Sequence, residues 1–192
     1  MKILTKLALT SLCVLTLAAC GDRADETAAD TTAGKAAATP SNQTLATVLA
    51  GDDGHGALAR VTTNSGLGAV LEGVGPYTVL APPDASLRSA GGVDFTDPAL
   101  KAEGAALLRA HIVPGALTRA DIAAAVERSG GKGAQMRTMA GGLLTFTRGE
   151  DAIVVTAPDG ATARLSGDEA LASNGVLQPI DGLLVKPAPA VN

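Results

Sequence analysis

Aromatic side chains are scarce in this chain: its 192 residues include one Tyr, two Phe and no Trp. Basic residues are in the minority, with 15 Lys and Arg against 19 Asp and Glu. Proteins that bind nucleic acid need positive charge to neutralise phosphates, and many use aromatic rings to stack on bases. We therefore expect no nucleic-acid partner. The same scarcity argues, more weakly, against a sugar cleft lined by aromatic rings.

Cysteine is limited to Cys13 and Cys20, both within the first twenty residues. Two lysines there precede an apolar stretch over residues 7–19, which is too short for a membrane-spanning helix of roughly 20 apolar residues. This pattern predicts a signal peptide over residues 1–19. The exported domain then has no free thiol, so we expect neither a disulfide nor a cysteine-ligated metal within it.

The end of the signal, Leu17-Ala18-Ala19-Cys20, resembles the lipobox of bacterial lipoproteins. The resemblance implies cleavage before Cys20 and acylation of that residue. Several acyl chains would hold the protein stably on a lipid membrane, since a single chain binds only marginally. Gly21 rather than Asp at the next position implies the outer membrane of a Gram-negative cell envelope, facing the periplasm or the surface. An ordinary secretory signal with an incidental Cys is the alternative.

The rest of the chain divides into a tether, one domain and a short tail. Residues 20–43 contain no large apolar side chain after the cysteine, so they cannot offset their ordering entropy, and we expect a disordered tether. Residues 44–187 carry regularly spaced apolar residues and form a domain of ordinary size, expected to be a monomer. Residues 188–192 form a Pro-containing tail.

Apolar spacing predicts helices in the first part of this domain. They are expected over residues 44–51, 57–62, 66–72 (with a break near Asn64 and an end at Gly73) and 97–112. A further helix should begin at Thr118, where Thr118 and Asp121 have the spacing of a capping box. Residues 77–81 predict a short strand.

After Gly131 the segments become short and β-branched, with Gly and Asp-Gly turn signals between them, as in an antiparallel meander. Turns at 174–175 and 181–182 delimit a strand over residues 176–180 and another from Leu183. The pattern predicts an α+β fold, with helices mostly in the N-terminal half and strands in the C-terminal half.

Four stretches resemble the signatures of the fasciclin-domain family, in the family's order and spacing. They are YTVLAPPDASL (77–87), LLRAHIVPGALTRADI (107–122), GLLTFTRGEDAIVV (142–155) and LASNGVLQPIDGLLVKP (171–187). The resemblance covers residues 44–187 and implies a fasciclin-like fold, an antiparallel β-sheet wedge packed with helices. Its signature positions, mostly structural, are Tyr77, Pro82, Asp84, His111, Asn174, Gly175 and Asp181.

The resemblance also implies a function. Family members are mostly surface-anchored or extracellular modules of cell adhesion, without catalysis, so we expect an unknown protein or glycan partner and no cofactor. The alternative is a carrier that holds a lipid, terpenoid or carotenoid in an apolar groove.

Some positions depart from the family pattern. Ala110 replaces the Tyr before His111, and Glu169-Ala170 stands where animal integrin-binding members have Asp-Ile. Gln178 replaces a His, and Pro83 replaces a Thr. We therefore do not expect an animal-integrin mode of adhesion.

His111 is a candidate partner contact. The alternative is a buried His at a helix C-terminus, bonded near Asp84, where the helix dipole favours a protonated ring.

The sequence contains candidate residues for two kinds of chemistry. Ser86, His111 and Asp84 supply the residue types of a catalytic triad, but no Gly-x-Ser-x-Gly elbow presents the serine, so we expect no enzyme. Residues 51–56 and 94–97 offer carboxylates, but neither segment has the spacing of a calcium loop or a zinc site, so we expect no metal.

Overall fold

The computed structural model describes residues 40–88 and 92–186. The predicted signal peptide, Cys20, most of the tether and the tail lie outside the described residues. The helices are α1 (Leu45–Ala50), α2 (Gly56–Ser65), α3 (Gly68–Glu72), α4 (Asp84–Arg88), α5 (Lys101–His111, preceded by a 3-10 turn at Pro98–Leu100) and α6 (Arg119–Arg128). The strands are β1 (Tyr77–Ala81), β2 (Ile112–Pro114), β3 (Ala134–Arg137), β4 (Leu143–Arg148), β5 (Ile153–Thr156), β6 (Thr162–Arg164), β7 (Ala170–Ala172) and β8 (Gly175–Pro179).

The eight strands form two four-stranded sheets. The first sheet has the order β2-β1-β8-β7, and the second has the order β3-β4-β5-β6. The second sheet is the predicted antiparallel meander. In the first sheet β1 and β8 run parallel, with Tyr77 opposite Gly175, so this sheet is mixed rather than wholly antiparallel. Within the described residues the α+β fold class, with most helices before most strands, is confirmed.

The two sheets differ in how many of their faces are covered, as the burial of their residues shows. Four consecutive residues of β1 and four of β8 are buried, as expected for central strands covered on both faces. In β4, by contrast, Leu144 and Phe146 are buried while their neighbours are not. That alternation marks a sheet with one covered face.

The buried apolar residues form two clusters. The first joins α1, α2, α3 and α5 to the first sheet, and its fully buried side chains include Leu45, Leu58, Leu71 and Leu108. The second lies under the second sheet and α6, with Phe146, Leu144 and Ile122 at its centre. Leu80 of β1 belongs to the second cluster, so β1 contributes to both cores.

Local capping sets several helix ends. The Thr118 side chain accepts the N–H of Asp121, and the Asp121 carboxylate accepts the N–H of Thr118, so the predicted capping box is confirmed. The break predicted near Asn64 lies instead at Gly66, which ends α2 with a left-handed φ of 75°. Asn64 remains helical, and its amide donates to the carbonyl of Thr96 at 2.9 Å.

The strand predicted from Leu183 is wrong. Residues 183–186 form no strand, and two of their backbone donors bond to side chains rather than to a neighbouring strand. The N–H of Leu184 donates to His111 at 3.0 Å, and that of Lys186 donates to the Asp159 carboxylate at 2.7 Å. Partial burial raises the pKa of Asp159, but the hydrogen bonds from the Lys186 and Ala161 N–H groups and the charge of Lys186 together outweigh it, so the pKa is lowered overall.

Two strands of three residues, β2 and β7, have no counterpart among the predicted elements. β7 pairs with β8 on one side. On its other side, the N–H of Ser41 donates to the carbonyl of Leu171 at 2.9 Å and the N–H of Ser173 donates to the carbonyl of Gln43 at 2.8 Å. Residues 41–43, assigned above to the tether, therefore cover the edge of the first sheet. Within the described residues, no helix is long and apolar enough to cross a membrane.

Candidate functional site

Asp84 lies at the corner between β1 and α4, in the first turn of α4. Its carboxylate, however, caps a different helix. Oδ1 accepts the backbone N–H of Ala57, near the start of α2, at 2.7 Å, and Oδ2 accepts a hydrogen bond from Arg88 at 3.1 Å. The backbone N–H of Asp84 donates to the carbonyl of Gly54 at 3.3 Å. The corner therefore fastens the β1–α4 connection to the start of α2.

Asn174 joins three segments. Its Oδ1 accepts the N–H of Leu45 at the start of α1 at 2.8 Å. Its Nδ2 donates to the carbonyls of Leu71 and Gly73, at the end of α3, at 2.8 and 2.6 Å. The Asn174 side chain thus satisfies unpaired groups at the ends of two helices, where backbone donors and acceptors lack intrahelical partners.

Gly175 is required by its surroundings. A Cβ atom at this position would collide with the carbonyl oxygen of Tyr77 and approach Leu45 Cδ1 to 2.6 Å. Since Tyr77 and Gly175 are partners in the parallel β1–β8 pair, any larger residue would push the two central strands apart. The Asn-Gly step of the last signature stretch is therefore structural.

The remaining signature positions also serve the fold. Tyr77 is partly buried against the first cluster, and Pro82 is buried just after β1. Asp181 accepts the N–H of Arg164 at 2.6 Å, and the N–H of Asp181 donates to the carbonyl of Arg164 at 3.0 Å. This pair of bonds ties the end of β6 to the segment that follows β8.

His111 is completely buried at the end of α5. Its Nδ1 bonds to the carbonyl of Leu107 at 2.8 Å, and its Nε2 accepts the N–H of Leu184 at 3.0 Å. These partners require a proton on Nδ1 and a lone pair on Nε2, which is the neutral ring. Burial lowers the pKa of His111 to about 4, against the smaller opposing effect of the Leu107 carbonyl.

Two expectations for His111 need correction. The ring is not bonded near Asp84, and it is neutral rather than protonated, because burial lowers its pKa by more than the Leu107 carbonyl raises it. As a partner contact it is inaccessible in this conformation, since its exposure is 0%.

The candidate triad is not assembled. Both ring nitrogens of His111 are occupied by backbone groups, so neither can serve as the base for Ser86. The carboxylate of Asp84 bonds to Ala57 and Arg88 and not to an imidazole.

In each of the two acidic loops, a carboxylate forms hydrogen bonds with groups of the same loop. In residues 51–56, Asp52 Oδ1 accepts the N–H of Gly54 at 2.8 Å and lies 2.9 Å from His55 Nδ1. In residues 94–97, the hydroxyl and N–H of Thr96 both donate to Asp94, and these bonds lower the pKa of Asp94. Within the described residues, no group of three His, Cys, Asp or Glu side chains is placed to hold a metal ion.

A polar network that the sequence analysis does not predict lies where the chain departs from the family pattern. Gln178, completely buried in β8, donates from Nε2 to Glu169 Oε2 at 2.5 Å and accepts from Arg119 at 3.2 Å. Glu169 Oε2 also accepts the backbone N–H of Arg119 at the start of α6, at 2.6 Å. The guanidinium of Arg119 donates further to the carbonyls of Ser166 and Gly167 at 2.9 and 2.8 Å.

The signal for this network was the departure itself. Glu169 and Gln178 replace family residues at two positions, and the structure shows that they are direct partners. Ala170, the other departure beside Glu169, is a partly buried residue of β7 packed on the first cluster. One donor of the network is unsatisfied: Arg119 Nε is buried and has no hydrogen-bond partner among the described residues.

Two cavities in the described part of the chain are small and mixed in character. One of about 270 Å³ lies between α6 and the β4–β5 hairpin, and Arg119, Arg148 and Glu150 line it beside apolar groups. Another of about 310 Å³ lies between α1, α2 and α3, where three Thr side chains and Glu72 share the walls with Ala and Leu. Both are at or below the lower end of the roughly 300–1,000 Å³ typical of ligand pockets. Neither matches the apolar groove that a carrier requires.

Comparison with known proteins matches this chain to one family and one fold. The profile of the fasciclin domain matches residues 53–186. Protein sll1483 of Synechocystis is 30% identical over 154 residues, which are 79% of this chain and 78% of that protein. Human stabilin-1 is 30% identical over 148 residues, which are 76% of this chain and 5% of stabilin-1. This chain therefore spans only a small part of stabilin-1.

A solved structure has a similar fold. It is a domain pair from the insect cell adhesion molecule fasciclin I, with a TM-score of 0.63 and 14% identity, covering 74% of this chain and 51% of that one. At this identity the similarity concerns the fold alone.

Proposed function

The chain belongs to the fasciclin domain family, and we propose that it is a non-catalytic interaction module of the bacterial cell envelope, binding a protein or glycan partner. The observation that carries the proposal is that the family match, residues 53–186, takes in nearly all of the described domain. The insect protein with the similar fold is a cell adhesion molecule, so adhesion has a precedent within this fold.

The contacts of the signature residues support a role without catalysis. Asp84, His111 and Asn174 bond to backbone groups at the ends of helices, as residues do when they hold a fold together. The other histidine, His55, bonds to Asp52 in a loop. We therefore place the interaction on the exterior of the domain and not at the signature residues.

We further propose that acylated Cys20 anchors the protein in the outer membrane and that the tether sets the reach of the domain without fixing its orientation. Expression with an alkyne-labelled fatty acid should label the wild type, and Cys20→Ser should abolish the label and move the protein to the soluble fraction. Retention of the label in the Cys20→Ser variant would contradict the lipid anchor while leaving the interaction module untouched.

The interaction itself is tested by measuring how much of the protein binds to cell-envelope preparations. Purified, fluorescently labelled full-length protein should bind envelope preparations of the producing organism saturably, and heat-denatured protein serves as the control. Protease treatment of the envelopes should abolish binding to a protein partner, and periodate oxidation should abolish binding to a glycan. Binding that never saturates, or that equals the denatured control, would contradict the proposed function.

A further inference from the structure

The second sheet has one covered face and one open face. Phe146, Val155 and Ala163 are directly paired across β4, β5 and β6, and all three are buried. Directly paired residues of antiparallel strands project to the same face, and successive residues alternate between faces. The residues on either side of these three therefore project from the opposite face, away from the second cluster.

A row of hydrogen-bonding side chains crosses all four strands on this opposite face. Gln135, Thr145, Thr156 and Thr162 are in register from β3 to β6. The strand spacing sets them roughly 4.8 Å apart. Within the described residues, neither the three hydroxyls nor the Gln135 amide has a hydrogen-bond partner. Each group is partly or fully exposed.

The rows on either side add two arginines. On one side Thr147, Val154 and Arg164 are in register, and on the other Arg137 pairs with Leu143. The Arg164 guanidinium has no partner among the described residues, whereas Arg137 donates to the carbonyl of Gly141 at 2.7 Å.

No carboxylate lies in the three rows, although acidic residues outnumber basic ones in the chain. Asp181 borders the face, where it accepts the backbone N–H of Arg164 at the edge of β6. The face therefore presents neutral donors and acceptors between two positive groups. We call these three rows the threonine face.

We propose that the threonine face binds a carboxylated polysaccharide. This inference rests on the proposed function and specifies its partner. Arg137 and Arg164 lie at diagonally opposite corners, roughly 20 Å apart by strand and residue spacing, so they could each pair with a carboxylate of the same extended chain. The hydroxyls and the amide between them would bond to the sugar hydroxyls, at a repeat comparable to the length of one sugar ring.

The composition of the face favours a glycan over a protein. Protein interfaces concentrate their binding energy in Trp, Tyr and Arg, with Met and Phe also enriched. The threonine face has no Trp, Tyr, Phe or Met, and its larger apolar groups are Val154 and Leu143. Threonine is stiff at χ1, so ordering these side chains against a ligand loses little entropy.

The experiment measures binding of fluorescent oligogalacturonate, a carboxylated glycan, to the full-length protein in detergent by fluorescence anisotropy. Replacing two hydroxyls by methyl groups in the double variant Thr145→Val/Thr156→Val should raise Kd about tenfold. Arg164→Gln should raise Kd about threefold, and added salt should weaken binding. The control Arg128→Gln changes the same charge at an exposed position on α6 and should leave Kd unchanged. Methyl-esterified oligogalacturonate should bind more weakly than the free acid.

Contrary results would separate this inference from the proposed function. Equal affinity of wild type and face variants, or binding to phosphatidylglycerol vesicles but not to oligogalacturonate, would overturn the glycan face. Absence of glycan binding together with protease-sensitive retention on envelopes would overturn the glycan face and leave the interaction module standing. Absence of any retention on envelopes would contradict the proposed function.

Discussion

In and around the first sheet, Asn174 and His111 are buried and bonded to backbone groups, whereas the threonine hydroxyls and the Gln135 amide on the threonine face of the second sheet have no partner within the described chain. Asn174 has three such bonds and His111 has two. Thr145 and Thr156 have none. The comparison teaches that the residues which identify the family are not the residues available to a partner. Mutations should therefore divide into those that unfold the domain and those that leave it folded.

The largest effect is expected at Asn174. Asn174→Ala leaves the N–H of Leu45 and the carbonyls of Leu71 and Gly73 without their partner, which should lower the free energy of unfolding by about 4 kcal/mol. Urea denaturation measures it. The matched control is Asn64→Ala, which loses one bond, to Thr96, and should lose about 1 kcal/mol. Equal effects of the two variants would show that the three bonds of Asn174 contribute no more to stability than the single bond of Asn64.

His111 should make stability depend on pH. Its pKa is about 4 in the folded protein, below the ordinary 6.5, so between these values the unfolded chain binds more protons. Stability should be full above about pH 6.5, fall as pH is lowered toward 4, and level off below that. The total loss from this ring is about 3 kcal/mol.

Urea denaturation from pH 7.5 to 4 tests this dependence against His111→Gln, which keeps a donor and an acceptor but does not titrate there. The difference between the two pH profiles isolates the ring from the carboxylates. Profiles of equal slope would show that His111 is not buried and neutral.

The network at the departures from the family pattern should be strongly coupled. Glu169→Ala removes the acceptor of the Arg119 N–H and of the Gln178 amide, and should lower stability by about 2 kcal/mol. Gln178→Ala should act similarly, and the double variant should lose about 1 kcal/mol less than the sum of the two. Additive effects would mean that these two replacements are independent.

Asp84 should have a smaller effect in an unexpected place. Asp84→Ala should lower stability by about 1 kcal/mol, the usual value for a lost helix cap. Because the carboxylate bonds to Ala57, amide hydrogen exchange should accelerate at the start of α2. Arg88→Ala, which removes only the exposed ion pair, should change stability by no more than about 0.5 kcal/mol. Faster exchange confined to α4 would contradict the assigned cap.

Patterns within a few residues of one another predict much of this fold. Contacts between residues far apart in the sequence cannot be predicted from such patterns. The capping box at Thr118 lies within four residues, and the strands of the meander are joined by short turns, so the sequence reveals both. The parallel pairing of β1 with β8 joins residues almost a hundred positions apart. The strand expected from Leu183 is absent for the same reason, since two of the N–H donors in this segment bond to His111 and Asp159, both remote in sequence.

For the candidate site, the sequence identified which residues the family shares but not what they contact. Asp84 is a residue type that often caps the helix it begins, yet the backbone N–H that its carboxylate accepts lies 27 residues earlier, at Ala57. The threonine face could not be predicted from the sequence, because strand register decides which threonines share a face. Register depends on the pairing between strands rather than on spacing along one strand.

The smallest expected effect on stability completes the comparison. Thr145→Val and Thr156→Val remove hydroxyls that have no partner in the described chain, and valine keeps the branched shape that strands favour. Their free energies of unfolding should therefore stay within about 0.5 kcal/mol of the wild type, as surface substitutions usually do. Urea denaturation of the same preparations used for glycan binding tests this directly. A loss comparable to that of Asn174→Ala would mean that these hydroxyls support the fold, and the two sheets would then not differ in the way described.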